Sequence, residues 1–507
     1  MGDVKVFTGT IVHATDLEPM QILENMAVGV LNNKIVFVEP ASELATLKTK
    51  YKIQDTREIT MTQSQFLMPG LVDTHIHAPQ FPNTGIHLVL PLLEWLDNYT
   101  FPTEAKFADG KFAQYVYGAA VDRLLRCGTT TATYFGSLHL EGTKILGDTV
   151  HARGQRALVG KVNMIANCPS YYQEASLEDS LRETEEFILY IKNLKSDLVL
   201  PIVTPRSAPT CPKEHMERLA QLALKHDCHI QSHICESRSE NDWVQELFPW
   251  STSYADVYGT VGLLTDKTVM AHGVWLKDEE VALLKESGTG VAHCPNSNLS
   301  LRSGLCDVRR LLSAGLKVGL GTDCSGGYSP SILNSLRQAV LMSKTISTMT
   351  EGYESITLQE AFRLATLGGA KVICMEDRIG NFEVGKEFDA LLVDVATMGT
   401  PLDIFPEDTT EEKIEKFLYN GDDRNILQVY VAGRNTYPLP QQDIPIAPTR
   451  HTHCPNHTHC PNKPLTYPLP QQDIPIAPTR HTHCPNKYLA LCYGNGRAGE
   501  VTNKHIG

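Results

Sequence analysis

The chain has 507 residues, of which 42% are hydrophobic and 20% charged, and its formal net charge is −13. This is the composition of an ordinary globular protein that is long enough for a large core or for several domains. The negative charge argues against nucleic acid or an anionic membrane as the main partner, and no apolar run is long enough to span a bilayer.

Residues 1–65 predict a small β unit. Three apolar stretches have the length of strands: Val4–Phe7, Met26–Leu31 and Lys34–Val38. Two further strand-like stretches lie near the other end of the chain: Ile379–Val393 and Gln428–Gly433. We therefore expect residues 1–65 and 376–435 to form one small β-sandwich domain from both ends of the chain.

Residues 66–375 alternate short apolar strands with longer helical stretches, which is the pattern of βα units around a parallel sheet. The eight predicted strands are Leu67–His77, Gly128–Phe135, Ala157–Val162, Leu198–Arg206, Cys228–Glu236, Lys267–Gly273, Gly290–Asn298 and Lys317–Ser325. The predicted helices include Glu178–Leu194, His215–His226, Lys277–Ser287, Val308–Ala314 and Thr357–Leu367. Eight repeats predict a closed (β/α)8 TIM-type barrel as the catalytic domain. An open doubly wound sheet is less favoured, because no Gly-x-Gly-x-x-Gly follows the first strand.

Metal-ligating side chains gather at the predicted carboxyl ends of these strands, where barrels place their active sites. His75 and His77 are two residues apart, so they share one face of the first strand. Alone, they could be a pair of surface histidines. His233 ends the fifth predicted strand and Asp323 ends the eighth. Three imidazoles and one carboxylate suit a zinc ion with an open position for water.

Two more side chains at this rim could handle protons. Glu236 lies three residues past His233 and could carry a proton to the substrate and then to the leaving group. A loop salt bridge between Glu236 and Arg238 is the alternative. His272 ends the sixth strand and could orient the nucleophile, while Asp323 could also accept the proton of the attacking water. Because zinc-bound water ionises near neutral pH, the set predicts a metal-assisted hydrolase of a C–N bond.

Several motifs resemble those of the amidohydrolase superfamily, and within it those of the members that deaminate guanine. These motifs are Phe66–His77, Pro91–Tyr99, His233-x-x-Glu236, Met270–Gly273, His293–Leu301, Gly319–Asp323, Asn381–Asp389 and Phe417–Asn425. The resemblance implies hydrolysis of guanine to xanthine and ammonia at one Zn²⁺ per subunit. Hydroxide on the metal would attack C2, and Glu236 would shuttle the proton. The resemblance also implies a homodimer.

By the same resemblance, Gln80 and Arg206 would bind the purine, with Arg206 facing the O6 carbonyl. Arginine suits this role because its planar fork presents fixed donors. A structural ion pair is the alternative for Arg206. Relatives usually carry an aromatic residue after this arginine, whereas this chain has Ser207, which would line the substrate site without stacking on the purine. Base deaminases of another class pair His-x-Glu with Pro-Cys-x-x-Cys, and nothing of that kind follows His139-Leu140-Glu141.

Two other functions stay open at this point. One is deamination of another purine or heterocycle by the same kind of barrel, and the other is a non-catalytic scaffold with the amidohydrolase fold. The N-terminus lacks the features of a secretory signal, and the 13 cysteines lack framework spacing, so the cytosol is the predicted compartment. The ending Lys504–Gly507 does not match the motif by which some relatives bind PDZ domains, so that partner is not expected.

Residues 436–507 form a predicted low-complexity tail. The 21 residues Thr436–Asn456 recur as Thr466–Asn486, with one more copy of His-Thr-His-Cys-Pro-Asn between them. The segment is rich in proline and polar residues and has no periodic apolar face, which predicts disorder. Its histidines and cysteines could bind metal ions loosely, but a duplicated extension without a site is the favoured interpretation.

Overall fold

Two β-sheets organise the computed structural model, which describes residues 4–53 and 57–438. The strands are β1 (Val4–His13), β2 (Gln21–Leu31), β3 (Lys34–Pro40), β4 (Arg57–Thr60), β5 (Gln65–Pro69), β6 (Leu71–His77), β7 (Thr129–Phe135), β8 (Arg156–Gly160), β9 (Val162–Asn163), β10 (Val199–Pro205), β11 (His229–Ile234), β12 (Thr268–His272), β13 (Gly290–His293), β14 (Lys317–Leu320), β15 (Ala390–Asp394), β16 (Ile426–Val431) and β17 (Arg434–Tyr437).

The α-helices are α1 (Leu44–Lys50), α2 (Leu92–Trp95), α3 (Phe101–Glu104), α4 (Gly110–Arg126), α5 (Leu140–Arg153), α6 (Leu177–Asn193), α7 (Lys213–His226), α8 (Arg238–Leu247), α9 (Tyr254–Thr260), α10 (Asp278–Ser287), α11 (Pro295–Ser300), α12 (Val308–Ser313), α13 (Ile332–Met349), α14 (Leu358–Arg363), α15 (Gly369–Val372) and α16 (Thr410–Asn420). Among the described helices, none is both long and apolar enough to cross a bilayer.

The larger sheet is the predicted parallel barrel. Its strands follow the order β6-β7-β8-β10-β11-β12-β13-β14, with the short β9 beside β10. The two ends of this order meet at a seam between β6 and the turn after β14. There the backbone N–H of Asp323 donates to the His75 carbonyl at 2.9 Å. The Asp73 carboxylate accepts bonds from the Thr322 backbone N–H and hydroxyl at 3.0 and 2.6 Å. The predicted barrel class is confirmed.

The second sheet comes from both ends of the chain, as predicted. It runs β17-β16-β15-β5-β1-β2-β3, with β4 beside β1. Phe7, Val28, Phe388 and Tyr430 belong to a buried apolar cluster on this sheet. A buried ion pair joins it to the barrel, because the Arg156 guanidinium on β8 donates twice to Asp389, at 3.0 Å in both bonds.

Some element boundaries differ from the expected ones. The predicted strand Leu67–His77 is split at Gly70: β5 pairs in the second sheet and β6 begins the barrel. A side chain at Gly70 would clash with Thr130, since a Cβ there would lie 2.1 Å from its hydroxyl oxygen. The predicted strand Gly290–Asn298 ends at His293, because Pro295 occupies the first turn of α11.

One C-terminal strand is shorter than predicted, and the other is shifted by two residues toward the N-terminus. Of the expected strand Ile379–Val393, only Ala390–Val393 lie in a strand, β15, and Glu387 forms an isolated bridge with Lys34. Thr436 and Tyr437, which begin the repeated sequence unit, lie in β17. The remainder of the predicted tail, from residue 439 onward, is outside the described residues, so its predicted disorder stays a prediction.

Candidate active site

The four predicted metal ligands meet at the carboxyl end of the barrel. His75 and His77 project from β6, His233 from β11, and Asp323 from the turn after β14. Asp323 has a φ of 44°, a conformation that side-chain-bearing residues rarely adopt, and it is held in place by its bond to the His75 carbonyl. The barrel seam therefore sets the first and last ligands side by side.

Three distances between the proposed ligand atoms are close to those around one tetrahedral metal ion. Nε2 of His77 lies 3.0 Å from Nε2 of His233, and Oδ1 of Asp323 lies 3.2 and 3.6 Å from Nε2 of His75 and His77. Ligands at zinc bond lengths are separated by roughly 3.3 Å in a tetrahedron. Among the described residues, Nε2 of His75 is buried without a hydrogen-bond partner. The residues present thus fit a single metal ion.

The protonation states also suit metal binding. Burial, together with the neighbouring imidazoles, lowers the pKa of His77 and His233 well below the usual value, and burial lowers the pKa of His75 as well. Nδ1 of His233 donates to the Arg206 carbonyl at 2.5 Å, so its Nε2 carries the free lone pair. Burial raises the pKa of Asp323, but the imidazoles of His75 and His272 outweigh it and hold that pKa at about 2.

Glu236 and His272 lie beside this cluster. Oε2 of Glu236 is 3.4 Å from Nε2 of His272, and Oε1 accepts a bond from the Ser303 hydroxyl at 2.9 Å. Burial raises the pKa of Glu236 to about 7, so the carboxyl can gain or lose a proton near neutral pH. Nδ1 of His272 donates to Asn298 at 3.0 Å, which directs Nε2 into the site.

The salt bridge considered for Glu236 is not what the structure contains. The Arg238 guanidinium stacks instead on the Trp275 ring, 4.1 Å from its centroid. Ser303, the hydroxyl that contacts Glu236, was not found from the sequence. It lies in the loop after α11 and carries no motif of its own, whereas Asn298 falls within a motif that was recognised.

Gln80 and Arg206 line the same cavity as the proposed metal ligands. Gln80 belongs to a 3₁₀ turn directly after β6, and Arg206 follows β10. The cavity is lined by His77, Gln80, Leu92, Trp95, Leu96, Arg206, Ser207, His233, Glu236, His272, Leu301 and Asp323. The structure therefore brings the predicted site residues together, with His75 buried directly behind them. Their roles stay predictions.

Arg206 does form a buried ion pair, with a residue that the sequence analysis missed. Its guanidinium donates to both carboxylate oxygens of Glu104, at 2.7 and 3.2 Å. Nε2 of Gln80 donates to the same carboxylate at 2.9 Å. Glu104 lies on the short helix α3 and belongs to no recognised motif, so only the folded structure reveals its place. The ion pair leaves Arg206 on the cavity wall, so it is compatible with a substrate-binding role, which stays a prediction.

Ser207 borders two cavities. The cavity at the proposed metal ligands has a volume of about 50 Å³, and a second cavity of about 390 Å³ lies beside it. Both are lined by Leu96, Arg206 and Ser207, and the second also by Phe101 and Trp243. A small side chain at position 207 thus stands at the boundary between the two cavities.

Comparisons with known proteins agree with this geometry. Residues 66–436 match the amidohydrolase family. Guanine deaminase of Mus musculus is 46% identical over 439 residues, which are 86% of this chain and 97% of that protein. A crystal structure of guanine deaminase from C. acetobutylicum with bound guanine in the active site is 36% identical, with a TM-score of 0.79, over 85% of this chain and 100% of that chain. An adenosine deaminase from Xanthomonas campestris with bound zinc is 25% identical, with a TM-score of 0.74, over 87% of this chain and 95% of that chain.

The chain therefore belongs to the amidohydrolase family of metal-dependent hydrolases, and the predicted class of enzyme is confirmed. Its similarity extends over nearly the full length of the mouse protein, so within the family it belongs with the guanine deaminases. The non-catalytic scaffold considered from the sequence is not supported.

Proposed function

We propose that this chain hydrolyses guanine to xanthine and ammonia. Water adds its oxygen to C2, the bond from C2 to the exocyclic nitrogen breaks, and ammonia leaves. One observation carries the proposal: Gln80 and Arg206 share a cavity with the histidine–aspartate cluster, in a chain 46% identical to a guanine deaminase. Deamination of another heterocycle is the alternative, because Ser207 stands where relatives usually have an aromatic residue and cannot stack on a purine.

His75, His77, His233 and Asp323 would hold one zinc ion. Zinc acidifies a coordinated water and so makes a hydroxide nucleophile available at neutral pH. The spacing of the four ligand atoms and the neutral state of the three imidazoles support this assignment. The zinc-bound neighbour with a TM-score of 0.74 also favours zinc over other divalent ions.

Glu236 would move the protons. Its Oε2 faces the cavity and His272, and its pKa of about 7 lets it take a proton from the attacking water and return it. The proton would go first to the purine ring nitrogen and then to the departing amino group. His272, fixed by Asn298, would orient the nucleophile, and Asp323 would help to accept its proton.

Arg206 and Gln80 would hold the purine with C2 at the reacting position. The free N–H groups of Arg206 would bond to the O6 carbonyl, which is an acceptor. Leu92, Trp95 and Leu96 line the same cavity and would exclude bulk water from it. Ser207 would line the purine site without an aromatic contact.

Four further features belong to the proposal. Residues 1–65 and 376–435 would form the smaller domain and 66–375 the barrel, with the tail from 436 outside both. The place of β1, β2, β3, β15 and β16 in one sheet supports this division, although β5 and β17 bring residues 66–69, 436 and 437 into the same sheet. The active form would be a homodimer in the cytosol, which rests on the family resemblance and on the sequence features given above. Sedimentation of the full chain tests the oligomeric state.

The decisive experiment follows guanine and xanthine by ultraviolet absorbance, and ammonia by a coupled assay, with the zinc-loaded full chain and with a chain ending at Asn435. We expect stoichiometric conversion by both. Adenosine and other amino-substituted heterocycles serve as a substrate panel. Turnover of adenosine with guanine left intact would overturn the proposal, and unchanged activity after complete removal of metal would overturn the assignment of zinc.

A further inference from the structure

Glu104 is a buried carboxylate without a role in the mechanism above. Its exposed fraction is 0%, and it ends the short helix α3. Thr103 anchors this helix by donating to Asn83 at 3.1 Å, in the same turn that carries Gln80. The ring of Phe101, at the start of the helix, lies against the Arg206 guanidinium at 5.0 Å. Helix α3 therefore has a fixed position relative to both proposed purine-binding residues.

The contacts of Glu104 determine how Gln80 is oriented. An ionised carboxylate only accepts hydrogen bonds, so the atom of Gln80 that lies 2.9 Å from Oε1 of Glu104 must be the amide nitrogen. The amide oxygen of Gln80 consequently points away from Glu104. Its contact with the Ser325 backbone N–H is long, at 3.4 Å, which leaves the oxygen able to accept a second bond.

The same carboxylate fixes Arg206. Two of its N–H groups bond to Glu104, so the remaining donors of the guanidinium are available to the cavity. Glu104 balances the buried positive charge, which would otherwise be costly in a site where Arg206 is only 4% exposed. One carboxylate thereby presents an acceptor on Gln80 and donors on Arg206, side by side.

We propose that Glu104 is a positioning residue that makes the cavity selective for a purine with a carbonyl oxygen next to a ring N–H. The inference rests on the proposed function and deepens it. The O6 oxygen and the N1–H of guanine are such a neighbouring pair, which matches donors on Arg206 and an acceptor on Gln80. 2-Aminopurine keeps the amino group at C2 but has neither the carbonyl nor the adjacent N–H, so it measures what this recognition contributes.

Glu104→Gln tests the proposal in the zinc-loaded full chain. The new amide would donate toward Gln80, whose side chain would then turn its oxygen to position 104 and its NH₂ to the cavity. We expect the preference for guanine over 2-aminopurine in binding to fall at least about tenfold, since hydrogen bonds of this kind contribute about that much. The readout is displacement of fluorescent 2-aminopurine by guanine, recorded by stopped flow before guanine is consumed, together with kcat and KM for guanine.

A swapped variant distinguishes orientation from simple damage. Gln80→Glu combined with Glu104→Gln keeps the charge of the pair and restores an acceptor at position 80. We expect it to regain much of the preference for guanine. Glu104→Asp keeps the charge but shortens the side chain, and we expect it to retain more of the preference than Glu104→Gln does. If Glu104→Gln fails to fold, these two variants test in its place whether Glu104 determines the preference for guanine.

The matched control is Asp389→Asn, which alters another buried arginine–carboxylate pair away from the cavity. It should leave the preference unchanged. A folded Glu104→Gln protein with wild-type preference would overturn the inference, and so would a swapped variant no better than Glu104→Gln. A wild-type chain that prefers guanine in binding but does not deaminate it would overturn the proposed function alone.

Discussion

Replacing Glu236 with glutamine removes the proposed proton carrier with little change of shape. The side chain is buried, and one of its oxygens can keep its bond to the Ser303 hydroxyl as an amide. Glu236 is not among the four proposed ligands, so the variant should retain its zinc. General acid–base groups contribute about 10²–10⁴ to the rate, so we expect kcat to fall by that factor, or about 3–5 kcal/mol in activation free energy.

The pH dependence gives a second measure of the same group. Glu236 must be ionised to accept a proton, so kcat of the wild-type enzyme should fall as the pH drops through the pKa of this carboxyl. Burial places that pKa at about 7, and a nearby divalent cation would shift it downward. The acid limb should therefore lie at or below pH 7, and it should disappear from the residual activity of the glutamine variant.

Steady-state kinetics with guanine, metal analysis and thermal unfolding would be measured on the same preparations. Glu280→Gln is the control, because Glu280 is also buried and caps α10 without lining the cavity. It should lose stability but keep its kcat. Full activity of Glu236→Gln would refute the assignment of the proton carrier, and loss of zinc from that variant would show that the carboxylate holds the metal instead.

Three further predictions concern the ligand set, the purine contact and the buried histidine His215. Asp323→Asn should lower the zinc content well below one ion per chain while circular dichroism stays unchanged; full zinc occupancy would contradict the proposed ligands. Ser207→Phe should lower the KM for guanine, since stacking of a base on an aromatic ring contributes about 1–3 kcal/mol, and Ser207→Ala should not; an unchanged KM would show that position 207 does not face the purine. Burial, with the charges of Lys161 and Arg218, lowers the pKa of His215 to about 4. The unfolded chain takes up this proton below about pH 6.5, so the residue should reduce the free energy of unfolding by about 2 kcal/mol between pH 7 and pH 5. Urea unfolding of His215→Gln should show a pH dependence smaller by that amount, and an identical dependence would refute the reasoning.

The barrel and its rim could be predicted because the four proposed ligands lie at or just after the ends of three short apolar stretches, one of which carries both His75 and His77. His233 and Asp323 are recognisable in this way without any knowledge of how the strands pair. Glu104 could not be found by the same reasoning, because α3 is a four-residue helix outside the βα pattern. Its partner Arg206 is 102 residues away along the chain, and nothing local marks either residue as half of a pair.

Boundaries were harder to predict than the elements themselves. The run from Leu67 to His77 is continuously apolar at its start, and its hydrophobicity does not reveal that it serves two sheets. The two strands separate at Gly70, a position where any Cβ would clash with Thr130 on a neighbouring strand. The last two barrel strands also end earlier than predicted, at His293 and Leu320. Pro295 lies in the first turn of α11, and Asp323, in the turn after β14, has a left-handed φ.

The seam between β6 and the turn after β14 has a consequence for how the enzyme matures. Asp73 and Thr322 are 249 residues apart, and their bonds form only when the chain has wound through the whole barrel. His75 and Asp323 flank those bonds, so a nascent chain that stops before β14 offers no complete ligand set. An ion bound by all four ligands would connect β6 to the turn after β14, across the seam of the nearly closed sheet. Metal uptake would then be thermodynamically linked to closure of the barrel, and chelation would remove this stabilisation of the seam.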